Sequence, residues 1–479
     1  MSAPSSPAAQ RAARALDLST AAFPSSSSSI GPSLSSASLS FSSSTSSLRR
    51  QGSLYVSSDS DRVVLDIGSR YVRCGFSGES KPRHVLPCGV PVPYSTAPEG
   101  CRSGIKDVKN ADGERISLRL NNHRLSVSSQ HCPTHQLELD HSSLEHIKNM
   151  LTDQLRAVFH NYLLTDSKAR KVIVCEGPLM PRTLKRIIVS ILFDTLQVPA
   201  ISFAPMHLLA LLTVGKTTGL VIDCGNLETS VLPIYDGRPL FPNIQTIPLA
   251  GDAITTRLKY LVRHHAHILR GSSRALIPVT DAFVSARPPE FWETLKAQVC
   301  VVGAFEVQPS AADGTFQSVL PEARYPVDAT DRLVLPGWVR ERAAEVLFEG
   351  DEDRRSIATV VWDAILKCPA DIRTDLAANI LLVGGTAMMP GLTSRLKEEL
   401  LTAVEHSHSA IDKLGHYDTF PARYAKLRRL APRLRFADTT FMANCAAWIG
   451  GSLAGSLRMT GAGVTREAWE AAAGVLPDR

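Results

Sequence analysis

Two short stretches carry residue types suited to phosphate chemistry. The first runs Val63-Val64-Leu65-Asp66-Ile67-Gly68-Ser69 and continues as Val72-Arg73-Cys74-Gly75-Phe76. The second runs Leu220-Val221-Ile222-Asp223-Cys224-Gly225 and returns as Val231-Leu232-Pro233-Ile234-Tyr235, closed by Asp236-Gly237. Each reads as an apolar strand ending in Asp-x-Gly, a turn, and a second apolar strand. A carboxylate at a strand end can hold a hydrated Mg2+. The glycine two residues later lets backbone N–H groups approach phosphate oxygens with no Cβ in the way. A third turn, Gly384-Gly385-Thr386, ends the apolar run Asn379 to Val383, where a nucleoside could lie against backbone. Strand-Asp-x-Gly alone is a common turn that binds nothing. Two of them with the Gly-Gly-Thr turn, in this order, point to a clamp between two related half-domains.

The elements around these turns alternate. Leu144, Ile147, Leu151, Leu155, Val158 and Phe159 have helical spacing, followed by a strand at Val172 to Cys175 and a helix from about Arg182 to Leu196. A short strand at Ala200 to Phe203 leads into an apolar helix, Met206 to Val214, with Gly215 placed as its C-terminal cap. After the second hairpin, helices are expected over Ala253 to Leu269, Pro289 to Val299, Trp338 to Phe348, Ile357 to Leu366 and Leu392 to Val404. Two more are expected near Trp448 to Leu457 and Arg466 to Ala473, and residues 303–330 read as irregular. Strands interleaved with helices in this way give an α/β fold with mixed sheets.

The chain of 479 residues is long enough for two or three domain-sized cores. Residues 1–60 are a different material, with serine runs and too few apolar residues for a core, and are expected to be a disordered tail. Arg11 and Arg14 bring a transit peptide to mind, but the serine runs do not continue an amphipathic helix. Residues 61–479 read as the folded part, with 88–140 a divergent, loop-rich small subdomain rich in Pro and Gly. His131, Cys132, His135 and His141 match no standard zinc spacing, and surface histidines are the plainer account.

A net charge of +6 is modest and is no argument for nucleic acid. The cations Arg423, Lys426, Arg428, Arg429, Arg433 and Arg435 read first as a solvated surface and second as a face for an acidic protein partner. The nine cysteines include no CxxC pair and suggest reduced thiols in a cytosolic or nuclear protein. No apolar run approaches the roughly 18 residues that would span a bilayer, so the protein is expected to be soluble.

Several segments carry a resemblance to actin and the actin-related proteins. They are Met206 to Gly237, Ile365 to Arg373 with Asn379 to Gly391, and Trp448-Ile449-Gly450-Gly451-Ser452. The resemblance covers about residues 61–479. It implies the actin/Hsp70/hexokinase-type fold, in which two α/β lobes with duplicated mixed sheets flank a central nucleotide cleft. Cys74 to Glu79, Leu208 to Thr213, Leu232 to Tyr235 and Ala443-Asn444-Cys445 make the chain look most like the divergent actin-related protein of the dynactin pointed-end complex. The implied ligand is ATP or ADP with Mg2+. The residues expected to line its site are Asp66, Gly68, Ser69, Arg73, Asp223, Gly225, Lys296, Gly384, Gly385 and Thr386. No metal-ligating and no catalytic residue is assigned.

The departures from the family pattern weigh against enzymology. Arg70 stands where actins carry glycine, and Arg73 where they carry lysine. Asn226 replaces an aspartate and Leu227 a glycine. Met206 stands in place of the glutamine that orients the attacking water, Ser230 in place of the histidine that helps it, and Ala297 in place of a glutamate that contacts the nucleoside. Water-positioning and acid–base groups supply about 10²–10⁴-fold of a rate, so little hydrolysis is expected.

Residues 88–140 show no recognisable form of actin's DNase-binding loop, which engages the next subunit at the pointed end. The resemblance therefore implies a non-enzymatic, cytoplasmic cytoskeletal subunit in a hetero-oligomer. Its partners would be dynactin's actin-like filament and the other pointed-end subunits, in support of dynein-driven transport on microtubules. Neither nucleic acid nor direct membrane contact is expected. A nuclear actin-related protein of a chromatin-remodelling complex and a self-polymerising ATPase are the alternatives.

Overall fold

The computed structural model describes residues 62–88, 141–271, 274–304, 320–350, 355–405, 422–461 and 463–472, and the backbone of 106–109 and 115–118. All lie in the unit Ser57–Arg479. The expected tail, the His131–Cys132–His135 group and most of 88–140 lie outside the described residues.

The first lobe begins with an antiparallel meander, β1 (Arg62–Ile67), β2 (Tyr71–Phe76) and β3 (His84–Pro87). A separate two-stranded pair, β4 (Lys106–Lys109) and β5 (Arg115–Leu118), comes next in the chain. Then α1 (His141–Ala157) leads to β6 (Lys171–Glu176), α2 (Arg182–Ser190) leads to β7 (Ala200–Pro205), and α3 (Met206–Leu212) follows directly. Strands β6 and β7 are parallel to β1, as helical crossovers require. Both α1 and α2 run on into a single π turn, at Val158–Tyr162 and Ile191–Thr195, which accounts for the longer apolar pattern in the sequence.

The second lobe repeats the plan. The hairpin β8 (Gly219–Cys224) and β9 (Thr229–Tyr235) is extended by β10 (Arg238–Pro239) and β11 (Gln245–Ile247), both paired with β9. Next come α4 (Gly251–His265), β12 (His267–Leu269), β13 (Leu276–Pro278), α5 (Asp281–Ala286) and α6 (Pro289–Val299). They are followed by β14 (Ala323–Pro326), β15 (Arg332–Leu335), α7 (Gly337–Glu349), α8 (Ile357–Lys367) and α9 (Arg373–Ala377). The lobe closes with β16 (Ile380–Val383), parallel to β8, and α10 (Leu392–Glu405).

Two expectations fail here. The helix expected to reach Leu269 stops at His265, and His267–Leu269 turn outward into a small sheet of order β13-β12-β15-β14. That sheet also takes Ala323–Pro326 from the stretch read as irregular. Three-residue strands carry too little periodicity to be read from sequence.

The chain then passes through a 3₁₀ segment, Ala422–Arg433, where Tyr424, Leu427 and Leu430 are buried at the three-residue repeat of that helix while Lys426, Arg428 and Arg429 stay exposed. It ends with α11 (Ala446–Ser456), β17 (Val464–Thr465), which pairs with β7, and α12 (Arg466–Ala471).

The lobes are joined through α3 and α11. These helices lie between the two main sheets: one cluster packs Leu209 and Trp448 on Val64 and Ile173, another packs Ala210, Leu211 and Ala446 on Val221 and Leu381. A Cβ at Gly450 would meet the Leu209 carbonyl oxygen at 1.9 Å. Only glycine permits that approach, and it keeps the sheets close enough for their turns to share one cleft.

Candidate functional site

Antiparallel pairing places Asp66 opposite Arg73 and Asp223 opposite Ser230. Cross-strand partners share a sheet face, so each hairpin delivers a carboxylate and one chosen neighbour to its tip. The tips, with the turn after β16 and one face of α6, line a cleft of about 470 Å³, within the range of about 300–1,000 Å³ usual for small-molecule sites. All ten residues singled out from the sequence border it. So do Met206, Asn226, Leu227, Ser230 and Ala297 from the departing positions, and Arg70.

The two tips share a backbone device. Gly68 N–H donates to Tyr71 O at 3.0 Å and Gly225 N–H to Glu228 O at 3.0 Å, so each turn closes on itself. The N–H groups of Ser69 and Arg70 in one turn, and of Asn226 and Leu227 in the other, have no acceptor among the described residues. These four donors, all bordering the cleft, suit phosphate oxygens. Behind the second tip, Gly225 O accepts from Gly251 N–H at 3.2 Å and from Thr386 Oγ1 at 2.7 Å. Gly384, at φ +101°, sits so close that a Cβ would meet Cys224 O at 2.3 Å, whereas one at Gly385 would meet nothing within 4 Å. Residue 385 thus opens on the cleft, and the turn offers bare backbone there.

The charges differ between the tips. Arg73 Nη1 donates to Asp66 Oδ2 at 3.0 Å with both side chains nearly buried, and its charge also opposes the upward push of burial on the Cys445 thiol. Asp223 has no such partner among the described residues. Burial, then the Asp66 and Glu228 carboxylates, push it up to about 7 against the opposing pull of Arg73. Glu228 was visible in the sequence as a turn residue but carried no signal of chemistry. Only the folded hairpin brings its charge to bear on Asp223. Arg70 reaches across to Glu290 on α6 at 3.6 Å.

Beside Met206 and Ser230 lies the residue that sequence reasoning missed. His207, one residue after Met206, is 1% exposed, and its Nε2 shares a 3.0 Å hydrogen bond with Ser230 Oγ. Burial pushes this imidazole down to about 4, so it is neutral at physiological pH. Its Nδ1 has no hydrogen-bond partner among the described residues. A lone histidine in an apolar helix gave no hint of this.

Lys296 and Thr386 are spent on the frame. Lys296 Nζ donates to Gly251 O at 2.8 Å and Thr255 Oγ1 at 2.8 Å, and pairs with Glu293 at 3.0 Å. Thr386 holds Gly225, as described. Among the described residues no group of three or more His, Cys, Asp or Glu side chains is arranged to hold a metal ion directly.

The comparison with known families decides the lineage. A family model described as Actin matches residues 57–473. The chain belongs to the actin family. Its two sheets, its cleft and the helices between them are the lobed fold of that family, and the chain is an actin-related protein. A similar curated protein is "Actin-related protein 10" of Dictyostelium discoideum, 26% identical over 434 residues that cover 85% of each chain. Among the described residues no helix is long and apolar enough to cross a membrane.

Proposed function

We propose that this actin-related protein is a structural subunit that binds a nucleotide without turning it over and caps the pointed end of dynactin's actin-like filament. Asp66, Asp223, the four turn N–H groups and the backbone at Gly384 and Gly385 would hold the nucleotide. A hydrated Mg2+ beside the two carboxylates would offset phosphate charge.

The reading rests on one observation above all. At the phosphate end stand the Met206 thioether, which can neither donate nor accept strongly, and Ser230, whose hydroxyl is engaged by a buried neutral histidine. Neither of these two groups is both strongly polar and free to orient a water.

Capping is supported by an asymmetry. Leu453 on α11, Leu457 at its C-terminal cap and Met459 just beyond are exposed (41%, 60% and 59%), apolar surface of the kind that marks a subunit contact. The sequence of 88–140 has no counterpart of the loop with which actin engages a further subunit. Through dynactin the protein would act in the cytoplasm in dynein-driven transport.

Affinity capture of the full chain tests this directly. Dynactin subunits should co-purify with the natural chain, and Leu453→Asp/Leu457→Asp should lower their recovery at least tenfold. The purified chain should hydrolyse ATP at less than about one hundredth of actin's rate, given the two lost water-positioning groups. Recovery of a different assembly without dynactin, or turnover comparable to actin, would overturn the proposal.

A further inference from the structure

We infer that the 3₁₀ segment Ala422–Arg433 and the residues just after it form a docking face for an extended, carboxylate-rich segment of a partner protein. The inference goes beyond the nucleotide and capping readings and depends on neither.

The charge of the chain is concentrated in this stretch. Residues 423–435 hold Arg423, Lys426, Arg428, Arg429, Arg433 and Arg435 and no acid, and these six equal the whole excess of 52 Lys and Arg over 46 Asp and Glu. In a 3₁₀ helix residues three apart eclipse one another. Tyr424, Leu427 and Leu430 therefore form one row, and all three are buried. Lys426 and Arg429 form a second row and Arg428 stands on the third, all exposed. Beyond the helix the exposure alternates. Arg433 and Arg435 are exposed while Leu434 between them is buried, so the two arginines leave the backbone on one side.

The backing of this face is fixed. Tyr424 Oη lies 2.7 Å from Asp363 Oδ1 on α8. Arg435 N–H donates to Ala377 O at 3.0 Å, and Arg435 O accepts from Ile380 N–H at 2.9 Å. The segment packs on α8, α9 and α10, where Asp363 is engaged by Tyr424 and Glu399 by Arg395 at 2.9 Å. Among the described residues none of the five exposed cations is in an ion pair.

The side-chain types select the partner. Five of the six cations are arginine, whose planar guanidinium takes a carboxylate through two parallel hydrogen bonds. Single-stranded nucleic acid is held where bases stack on aromatic rings, and the ring within residues 423–435, that of Tyr424, is buried. A helix lying on a membrane inserts its apolar face, and here that face is the row packed in the core. An acidic peptide requires only the outward charges. The backbone that carries them is already in place, which lowers the ordering cost of binding.

The test titrates the purified full chain into fluorescein-labelled octaglutamate at low salt, read by fluorescence anisotropy. Binding is expected, weakening as ionic strength rises. Arg428→Ser/Arg429→Ser/Arg433→Ser should weaken it by about tenfold or more. Lys81→Ser/Lys148→Ser/Lys168→Ser, which removes the same charge from exposed sites on the first lobe, should change it by less than about twofold. On the natural chain, octaglutamate should protect Arg428, Arg429 and Arg433 from phenylglyoxal, read by mass spectrometry, and this decides the matter should the arginine variant fail to fold. Absence of octaglutamate binding, equal losses in the two triple variants, or no protection of the three arginines would overturn the inference. So would tighter binding of an eight-nucleotide oligothymidylate or of phosphatidylserine vesicles than of octaglutamate, which marks a nucleic-acid or membrane face instead.

Discussion

The two hairpin tips are built alike and charged differently. Each closes a turn through a glycine N–H at 3.0 Å and leaves two turn N–H groups facing the cleft. Yet Asp66 is neutralised by Arg73 directly across its ladder, while Asp223 faces Ser230, an uncharged partner. In the second turn Asn226 and Leu227 add no charge, and Glu228 adds one of the wrong sign for its neighbour. The two turns share one backbone geometry. The side chains divided the rest, so that one tip is electrically complete and the other is under tension.

Breaking the complete tip should have the larger effect. Arg73 and Asp66 are nearly buried, and removing one member of a buried pair costs about 3–5 kcal/mol because the other charge is left without compensation. Arg73→Met should therefore lower unfolding free energy by about that much in urea titration, with Asp66, Asp223 and Cys445 all losing the same cation. A loss below about 1 kcal/mol would show that water reaches this tip and that the two halves are electrically equivalent.

The comparison also explains what could be read from sequence. Asp66, Asp223 and the glycine after each were legible because strand-Asp-x-Gly has a fixed spacing, and Gly384-Gly385 because the turn follows a buried strand. The ten site residues are neighbours in space for that reason. Their chemistry was less legible. Lys296 and Thr386 border the cleft, yet their polar atoms face the frame, a distinction that depends on Gly251 and Gly225 lying where two other elements place them. His207 and Glu228 went unassigned because each acts through a partner 23 or 5 residues away, fixed by helix packing and by hairpin register. Local pattern carries backbone geometry; charge balance belongs to the assembled site.

The second tip can be tested through pH. Asp223 titrates near 7 in the folded chain against about 3.9 unfolded. Between those values the folded state binds the extra proton, so the Asp223 contribution to stability is greatest below about pH 4 and falls as pH rises to about 7, flattening above. At one pKa unit per 1.36 kcal/mol the loss is at most about 4 kcal/mol. Asp66, Glu228 and Arg73 face the same group and stay in place. Asp223→Asn keeps the side chain neutral and should remove this slope, so that natural chain and variant agree in acid and diverge toward neutrality. Parallel stability curves for the two would mean that Asp223 stays ionised throughout and the asymmetry between the tips is lost.

The smallest expected effect is at Arg70, and it sharpens the comparison by separating two arginines three residues apart. Its ion pair with Glu290 is 3.6 Å long and Glu290 is largely exposed, so water and salt screen it and its contribution is about 0–1 kcal/mol. Arg70→Ala should leave the unfolding midpoint nearly unchanged, in contrast to Arg73→Met. Its guanidinium borders the cleft, however, and the pair is weak enough to yield to a phosphate, a partner that charge-assisted bidentate contacts favour. The variant should therefore bind tripolyphosphate several-fold more weakly than the natural chain, by calorimetry at low salt, with the difference shrinking as ionic strength rises. If stability fell and phosphate affinity held, Arg70 would be a strut between the lobes, and the cation of the first tip would be Arg73 alone.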